Sequence, residues 1–452
     1  MISKRDYSEL IDRATDSAIT QITRGFADTA RKIGILIAMA AIIGVCLLES
    51  GAAEQVVRSM QRLCGERATA VALVLASFLL AIPVFFDTVF FLMLPIAQAL
   101  ARQRGGDYLK FVLAIVVGGT LAHSLVPPTP GPLFVAGELG VSLLTMMTGG
   151  IAVGIWGVLA GYAYVVWVNR MMPIPVPPNI DSTGLAPDRP GAVTASDKQP
   201  LADQLRQDVA GGERSDRLPP LWLSLLPIVL PIACLSLQPL LKACGLTPAD
   251  VSAAVGLEIG RLIVLLSDKN IALVLAAAVA LATFVLRPGR SGEDGQAAVG
   301  RALADGGTVI LITCAGGAFG HVIRQTNIAA TLAETFPEGA TGFGLLWAGF
   351  LLTAIIRIAQ GSATVAMITA VGIIAPIAAS VSLPFHPVYL ALAVGCGSKP
   401  VPWMNDSGFW TIGKMAGFTE AETLRTFTVL LTIMGIVAFA AVLLGAWLLP
   451  LV

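Results

Sequence analysis

Two polar interruptions of apolar sequence hold residues suited to binding a small anion. They are His123-Ser124-Leu125-Val126-Pro127-Pro128-Thr129-Pro130-Gly131-Pro132 and Pro402-Trp403-Met404-Asn405-Asp406-Ser407-Gly408-Phe409-Trp410. Free backbone N–H groups at the start of a half-helix can donate to a carboxylate, and the helix dipole favours negative charge there. Polar groups buried in apolar surroundings are costly unless they are satisfied or used. We therefore expect the two interruptions to face each other and to hold a small anionic solute.

Hydroxyl and amide side chains in and between these interruptions can bind the carboxylate and hydroxyl groups of such a solute. The candidates are Ser124, Thr129, Ser362, Thr364, Asn405 and Ser407. Arg357 could pair with the substrate carboxylate through two hydrogen bonds. It could equally extend to the membrane interface or neutralise an aspartate.

Acidic residues of the two halves could bind and release a proton together with the solute. Asp406 and Asp87 are the first candidates, followed by Glu49 and His123. A carboxylate in a low-dielectric site can bind and release a proton, and an ionised acid beside an anion repels it. Protonation should therefore strengthen substrate binding. The structural alternatives are a helix cap or turn for Asp406 and a local hydrogen bond for Asp87.

The composition indicates a multi-pass membrane protein. Of 452 residues, 56% are hydrophobic and 13% are charged, whereas soluble domains carry about 25% charged residues. The net charge is zero, which argues against nucleic acid as a partner. The six cysteines form no C-x-x-C pair, and no G-x-x-x-x-G-K-[ST] loop is present. We therefore expect no metal, no cofactor and no ATP-driven step.

The chain divides into two apolar halves. Residues 1–32 form a polar or amphipathic arm, residues 33–170 a first membrane half, and residues 220–452 a second. Residues 171–219 are rich in Pro, Asp, Gly and Ser, which predicts a soluble, flexible linker. Pro83 and Asp87 interrupt a long apolar run, so this part is either a helix followed by a broken helix or a re-entrant hairpin.

Landmarks of the two halves recur at a nearly constant offset of about 275 residues. Phe86-Asp87-Thr88 corresponds to Gly361-Ser362-Ala363, and Val126-Pro127 corresponds to Val401-Pro402. Repeats whose broken segments fall in corresponding places indicate the binding site of a transporter.

At these motifs the chain resembles the gluconate permease family, within the ion-transporter superfamily. The resemblance covers roughly residue 30 to the C-terminus. It rests on the two interruptions together with Gly316-Gly317-Ala318-Phe319-Gly320 and Arg357-Ile358-Ala359-Gln360-Gly361-Ser362-Ala363-Thr364-Val365-Ala366. These motifs add His123, Gly131 and Gln360 to the substrate-binding candidates. One departure is Lys399-Pro400-Val401-Pro402-Trp403-Met404, where the family pattern has a Ser-His pair before the Asn.

The resemblance implies an all-α, multi-pass protein of the inner membrane with two inverted repeats, re-entrant hairpins and elevator-type movement. It also implies symport of protons with gluconate or a related hydroxy or sugar acid, or an amino acid such as D-serine, by a homodimer in contact with lipid.

The two alternative classes of function are a membrane-embedded enzyme and a channel. The polar loops hold no catalytic constellation for the first, and the tandem breaks favour alternating access over a fixed pore.

Overall fold

The protein is a bundle of helices, described here from a computed structural model. The structure describes residues 17–177, 218–325 and 341–451, apart from 244, 256, 288 and 289, and these residues include no strand. The helices are α1 Ala18–Glu49, α2 Ala52–Cys64, α3 Thr69–Leu80, α4 Phe86–Arg104, α5 Tyr108–Leu125, α6 Pro130–Glu138, α7 Leu143–Met171, α8 Leu221–Ala243, α9 Pro248–Val255, α10 Leu257–Leu266, α11 Lys269–Val285, α12 Gly292–Gln325, α13 Thr341–Gln360, α14 Ala363–Ser380, α15 Val388–Gly397, α16 Ser407–Ala416, α17 Glu420–Thr423 and α18 Val429–Leu448.

Eight helices of the described residues are long and apolar enough to cross a membrane. Two further helices, Ile259–Leu266 and Lys269–Val285, are long and apolar enough only when taken together. They meet at an angle of 81°, as in a broken span or a re-entrant loop. A helix needs about 20 apolar residues to cross a bilayer, so the prediction of an all-α, multi-pass membrane protein is confirmed. The described part of the predicted arm, from residue 18 on, continues into α1. Most of the predicted linker, residues 178–217, lies outside the described residues.

The order of helices recurs along the chain. The long helices α1 and α12 begin at Ala18 and Gly292, α4 and α14 at Phe86 and Ala363, and α6 and α16 at Pro130 and Ser407. These separations match the offset read from the sequence, and the counterpart of α2 would fall largely on residues outside the described part. Inversion of one repeat relative to the other stays a prediction.

Two helices, α5 and the shorter α15, are the most completely buried of the bundle. Every residue of α15 is buried, and only two of α5, Lys110 and His123, are not fully so. A helix that is apolar on all sides belongs inside a large protein. The carboxyl ends of α5 and α15 carry the two polar interruptions, so the interior of the bundle positions them.

The two long helices α1 and α12 pack along each other. Thr29 contacts Gly317 and Ala41 approaches Gly306, while the side chains of Gln21 and His321 are hydrogen-bonded at 3.0 Å. At the other end of α1, Glu49 accepts hydrogen bonds from Arg301 at 2.6 and 3.2 Å. Glu49, a reserve candidate for coupling, therefore joins the two halves.

Candidate functional site

Four helix breaks carry the residues of the candidate site. They are the first break, residues 81–85 between α3 and α4; the second break, residues 126–129 between α5 and α6; the third break, residues 361–362 between α13 and α14; and the fourth break, residues 398–406 between α15 and α16. Proline accounts for the second break, because a residue before proline is disfavoured in a helix and proline lacks the N–H donor. Pro130 then stands in the first turn of α6, where the missing N–H costs nothing.

Three of these breaks meet in the interior. Gly131, at the start of α6, packs against Met367 and Thr364 of α14. Gly361 has φ +88°, a conformation that favours glycine, and a Cβ there would overlap the carbonyl oxygen of Asn405. The structure thus brings the second, third and fourth breaks together.

The second break is held by its own buried hydroxyl. Thr129 is 3% exposed, and its Oγ1 donates to the carbonyl oxygen of Val126 at 2.7 Å. Ser124 is buried in the last turn of α5, where its carbonyl oxygen lies close to Gly395 of α15. The C-terminal ends of α5 and α15 therefore pack against each other.

Arg357 and Asp406 form an ion pair inside the protein. Arg357 lies in the last turn of α13, and Asp406 is the N-cap residue of α16. Asp406 Oδ1 accepts hydrogen bonds from the backbone N–H groups of Gly408 at 2.6 Å and Phe409 at 3.2 Å, and Oδ2 contacts the guanidinium. Of the alternatives left open by the sequence, Arg357 neutralises an aspartate, and Asp406 is a helix cap and an ion-pair partner at once.

The same guanidinium also fixes the third break. Arg357 Nη1 donates to the carbonyl oxygen of Gly361, so one side chain joins the end of α13, the third break and the start of α16. Ser362 caps α14, because its Oγ accepts from the backbone N–H of Val365 at 3.4 Å. Thr364 lies half-buried in the first turn of the same helix.

Lys399 is a second buried cation at this place. It is 2% exposed in the fourth break, its stem packs against Gly435 of α18, and its Nζ donates to the carbonyl oxygen of Thr120 in α5. Sequence reasoning did not select it as a site residue. The available signal was a lysine three residues before the polar interruption that contains Asp406.

His123 lies on the part of α5 that Lys399 reaches. Lys399 Nζ donates to the carbonyl oxygen of Thr120, and His123 follows three residues further along the helix, where residues three apart lie on one face. The Nδ1 atom of His123 is buried and has no hydrogen-bond partner. The residue as a whole is half-buried.

An exposed polar rim borders the buried charges. Gln360, Asn405 and Ser407 are exposed. The side-chain amide of Asn405 donates to the carbonyl oxygen of Ile358 at 2.7 Å, as does Trp403 Nε1 at 2.8 Å. The hydroxyl and amide candidates therefore stand partly at this rim and partly in the interior.

Asp87 occupies a different flank. It lies half-buried in the first turn of α4, after the first break. The neighbouring Phe86 ring packs against Gly119 of α5, one residue before Thr120. The two coupling candidates, Asp87 and Asp406, therefore lie at the starts of two different helices, α4 and α16.

Comparison with known proteins identifies the family. The model of the GntP family permeases matches residues 13–448. The chain belongs to the GntP permease family. It is therefore a transporter and not an enzyme, in agreement with the expectation from the sequence.

Several relatives match most of the chain. An uncharacterised permease from Haemophilus influenzae is 30% identical over 409 residues, which are 90% of this chain and 79% of that protein. The low-affinity gluconate transporter of Escherichia coli is 28% identical and the match covers 93% of this chain and 86% of that protein. The inner membrane permease YgbN of the same organism is 30% identical over 92% of this chain and 86% of its own length.

Two solved transporters share the fold. The YdaH transporter of Alcanivorax borkumensis superposes with a TM-score of 0.58 at 14% identity, over all of this chain and 91% of that one. MtrF of Neisseria gonorrhoeae gives 0.60 at 16% identity, over 99% and 86%. At this identity the likeness concerns architecture alone.

Proposed function

We propose that this permease is a secondary active transporter of the inner membrane that takes up gluconate or a related hydroxy or sugar-acid anion together with a proton. The observation that carries the proposal is the buried excess of positive charge where the helix breaks meet. Two buried cations, Arg357 and Lys399, lie in this region of the described residues together with one buried carboxylate, Asp406, which is paired with Arg357. A buried charge needs a counter-charge, and an organic anion supplies one. Relatives named as gluconate transporters support the choice of substrate.

Asp406 is the proposed coupling residue. When ionised, Asp406 neutralises Arg357; when a proton binds to it, both cations of the site lack a protein counter-charge. The protonated site therefore attracts an anion more strongly than the ionised one. By thermodynamic linkage, the anion in turn favours the proton on Asp406, so that the two enter together.

The proposed substrate-binding residues are the ones predicted from the sequence: His123, Ser124, Thr129, Gly131, Gln360, Ser362, Thr364, Asn405 and Ser407. Arg357 is the candidate partner of the anion, and Asp87 is the second coupling candidate. The recurrence of helix order supports two inverted repeats and elevator-type movement, in which one part of each subunit of a homodimer moves and the other stays fixed.

Uptake by the purified protein in proteoliposomes tests the proposal. With an alkaline interior, labelled gluconate should accumulate, and unlabelled gluconate, other sugar acids, short hydroxy acids and D-serine should compete in order of affinity. Preloading with unlabelled substrate should accelerate entry of the label, as alternating access requires. Entry that is not accelerated by preloading would indicate a channel, and accumulation that ignores the pH difference would exclude proton symport.

A further inference from the structure

In the part of the chain that the structure describes, Lys399 differs from the other buried charged residues in that no acidic side chain is paired with it. Among the described residues the buried charged side chains are Glu49, Arg357, Lys399 and Asp406. Glu49 is paired with Arg301, and Arg357 with Asp406. Within the described part of the chain, the side-chain ammonium of Lys399 has only the carbonyl oxygen of Thr120 as a hydrogen-bond partner. One neutral carbonyl is weak compensation for an ammonium group with three donors.

The position of Lys399 does not suggest a role in holding the fold. An uncompensated buried charge lowers stability, and apolar residues of similar volume are often as good or better at such places. The carbonyl of Thr120 lies near the end of α5, where a cation is favourable through the helix dipole, but this effect is small compared with the cost of burying an unpaired charge. A buried ammonium that faces an anion for part of the transport cycle accounts for the arrangement more fully.

Arg357 is less available for the substrate than Lys399. Its guanidinium contacts Asp406 and donates to the carbonyl oxygen of Gly361. A substrate carboxylate would have to displace these contacts, which also hold the third break. Lys399 has two further donors to offer without breaking an ion pair.

His123 adds a neighbouring polar group with no partner. Its buried Nδ1 atom lacks a hydrogen bond, and an unsatisfied buried polar group is destabilising. As a donor, Nδ1 can bind a carboxylate oxygen; as an acceptor, it can bind the hydroxyl next to the carboxylate. The charge and the hydrogen-bonding group that a 2-hydroxy acid requires are thus presented on one stretch of α5, by Lys399 at Thr120 and by His123 three residues further on.

We propose that Lys399 and His123 form the carboxylate subsite of the transport pathway, and that Lys399 sets the preference for acids over uncharged polyols of the same length. This inference rests on the proposed function. Arg357 and Asp406 then form a separate pair that responds to the proton, while Lys399 holds the anion. The proposal assigns specificity to a residue that lies outside the Asn405–Asp406 motif.

Binding of gluconate and of glucitol, the polyol with the same carbon chain, tests this assignment in the purified protein. In Lys399→Met, gluconate affinity should fall about 10- to 100-fold, as expected for loss of a charge-assisted hydrogen bond. Binding of glucitol should change little, so the preference for the acid is lost. The midpoint of thermal unfolding without ligand should stay the same or rise, because a buried unpaired charge is gone.

Three matched variants make the result specific. Lys399→Arg keeps the charge and should retain part of the preference for the acid. His123→Leu should weaken gluconate less than Lys399→Met does. Lys414→Met removes an exposed lysine of α16, paired with Glu420 at 3.8 Å, and should leave both affinities unchanged.

Two outcomes would overturn the inference, and they differ from failure of the proposed function. Lys399→Met with the affinity of the unaltered protein for gluconate would show that another group holds the carboxylate. Equal losses for gluconate and glucitol, with a lowered unfolding midpoint, would show that Lys399 is structural. If the unaltered protein exchanges none of the acids of the competition panel, the proposed function itself fails and the inference falls with it.

Discussion

Arg357 and Asp406 form a buried ion pair that joins the end of α13 to the start of α16. Both side chains are nearly inaccessible, at 6% and 4% exposure. Asp406 also accepts two backbone N–H groups of α16. The Asp406 carboxylate thus stabilises the fourth break through its hydrogen bonds to α16, and it neutralises Arg357, which stabilises the third break. The protonation state of Asp406 therefore affects both breaks.

The first prediction concerns the interaction energy between Arg357 and Asp406. Arg357→Met or Asp406→Asn alone should lower the free energy of unfolding by about 3–5 kcal/mol, because each leaves one buried charge unpaired. The double variant should lose less than the sum of the two, which a thermal unfolding cycle in detergent measures. Additive losses would show that the two side chains act independently.

Asp406→Asn should separate binding from accumulation. Asparagine keeps an oxygen that can cap α16 but cannot release a proton. The variant should bind gluconate and exchange it across the membrane, while accumulation driven by a pH difference is lost. In the unaltered protein, uptake should fall as the external pH rises above the pKa of the coupling acid in the loaded carrier, because the ionised acid repels the anion.

Asp87→Asn is the control for this assignment. Asp87 lies on α4, in the first half, so the same chemical change there tests whether any acid near the breaks would give the result. Accumulation that survives in Asp87→Asn but not in Asp406→Asn would assign the proton to Asp406. The reverse pattern would assign it to Asp87, and normal accumulation in both would exclude both residues.

Gly361→Ala should disrupt the meeting of the third and fourth breaks. Its φ of +88° and its approach to the Asn405 carbonyl leave no room for a methyl group. We expect a loss of more than about 2 kcal/mol in the free energy of unfolding and impaired transport. Gly105→Ala is the matched control, since its φ is +69° but its surroundings are open; only a backbone cost of about 1 kcal/mol is expected. Equal effects of both changes would disprove the steric explanation.

The orientation of the repeats can be tested by labelling. The loop between α4 and α5 and the loop between α14 and α15 occupy corresponding places, represented by Gly106 and Ser382, which are both exposed. In a protein whose six cysteines are replaced, single cysteines at these positions should react with an impermeant thiol reagent from opposite sides of the membrane. Reaction from one side only would mean that the repeats run in the same direction.

Proline, glycine and polar residues within apolar runs made the breaks predictable. Pro127, Pro128 and Pro130 interrupt a sequence that is otherwise apolar, and the conformational restrictions of proline act locally. The offset between Val126-Pro127 and Val401-Pro402 similarly predicted the recurrence of helices. Both signals need only neighbouring residues or a comparison of the chain with itself.

Contacts between side chains on different helices were harder to predict from the sequence. Arg357 had three open alternatives, because a sequence does not say which of several acids an arginine reaches when they lie on different helices. Lys399 was missed for a related reason. A lysine between Ser398 and Pro400 is expected to extend toward water, and only the packing of α15 against α5 and α18 shows that it is enclosed.

The uncompensated ammonium of Lys399 has an electrical consequence. With Asp406 ionised and His123 neutral, the empty site carries one net positive charge; with a proton and a monovalent anion bound, it again carries one. Moving one charge through the membrane potential is worth about 2.3 kcal/mol per 100 mV. In the proposed proton symport, with Arg357 and Lys399 both charged, an interior-negative voltage would thus assist the loaded step inward and oppose the empty return by the same amount. Under that mechanism voltage biases which side of the membrane the site faces, while the pH difference alone determines how far the substrate is concentrated.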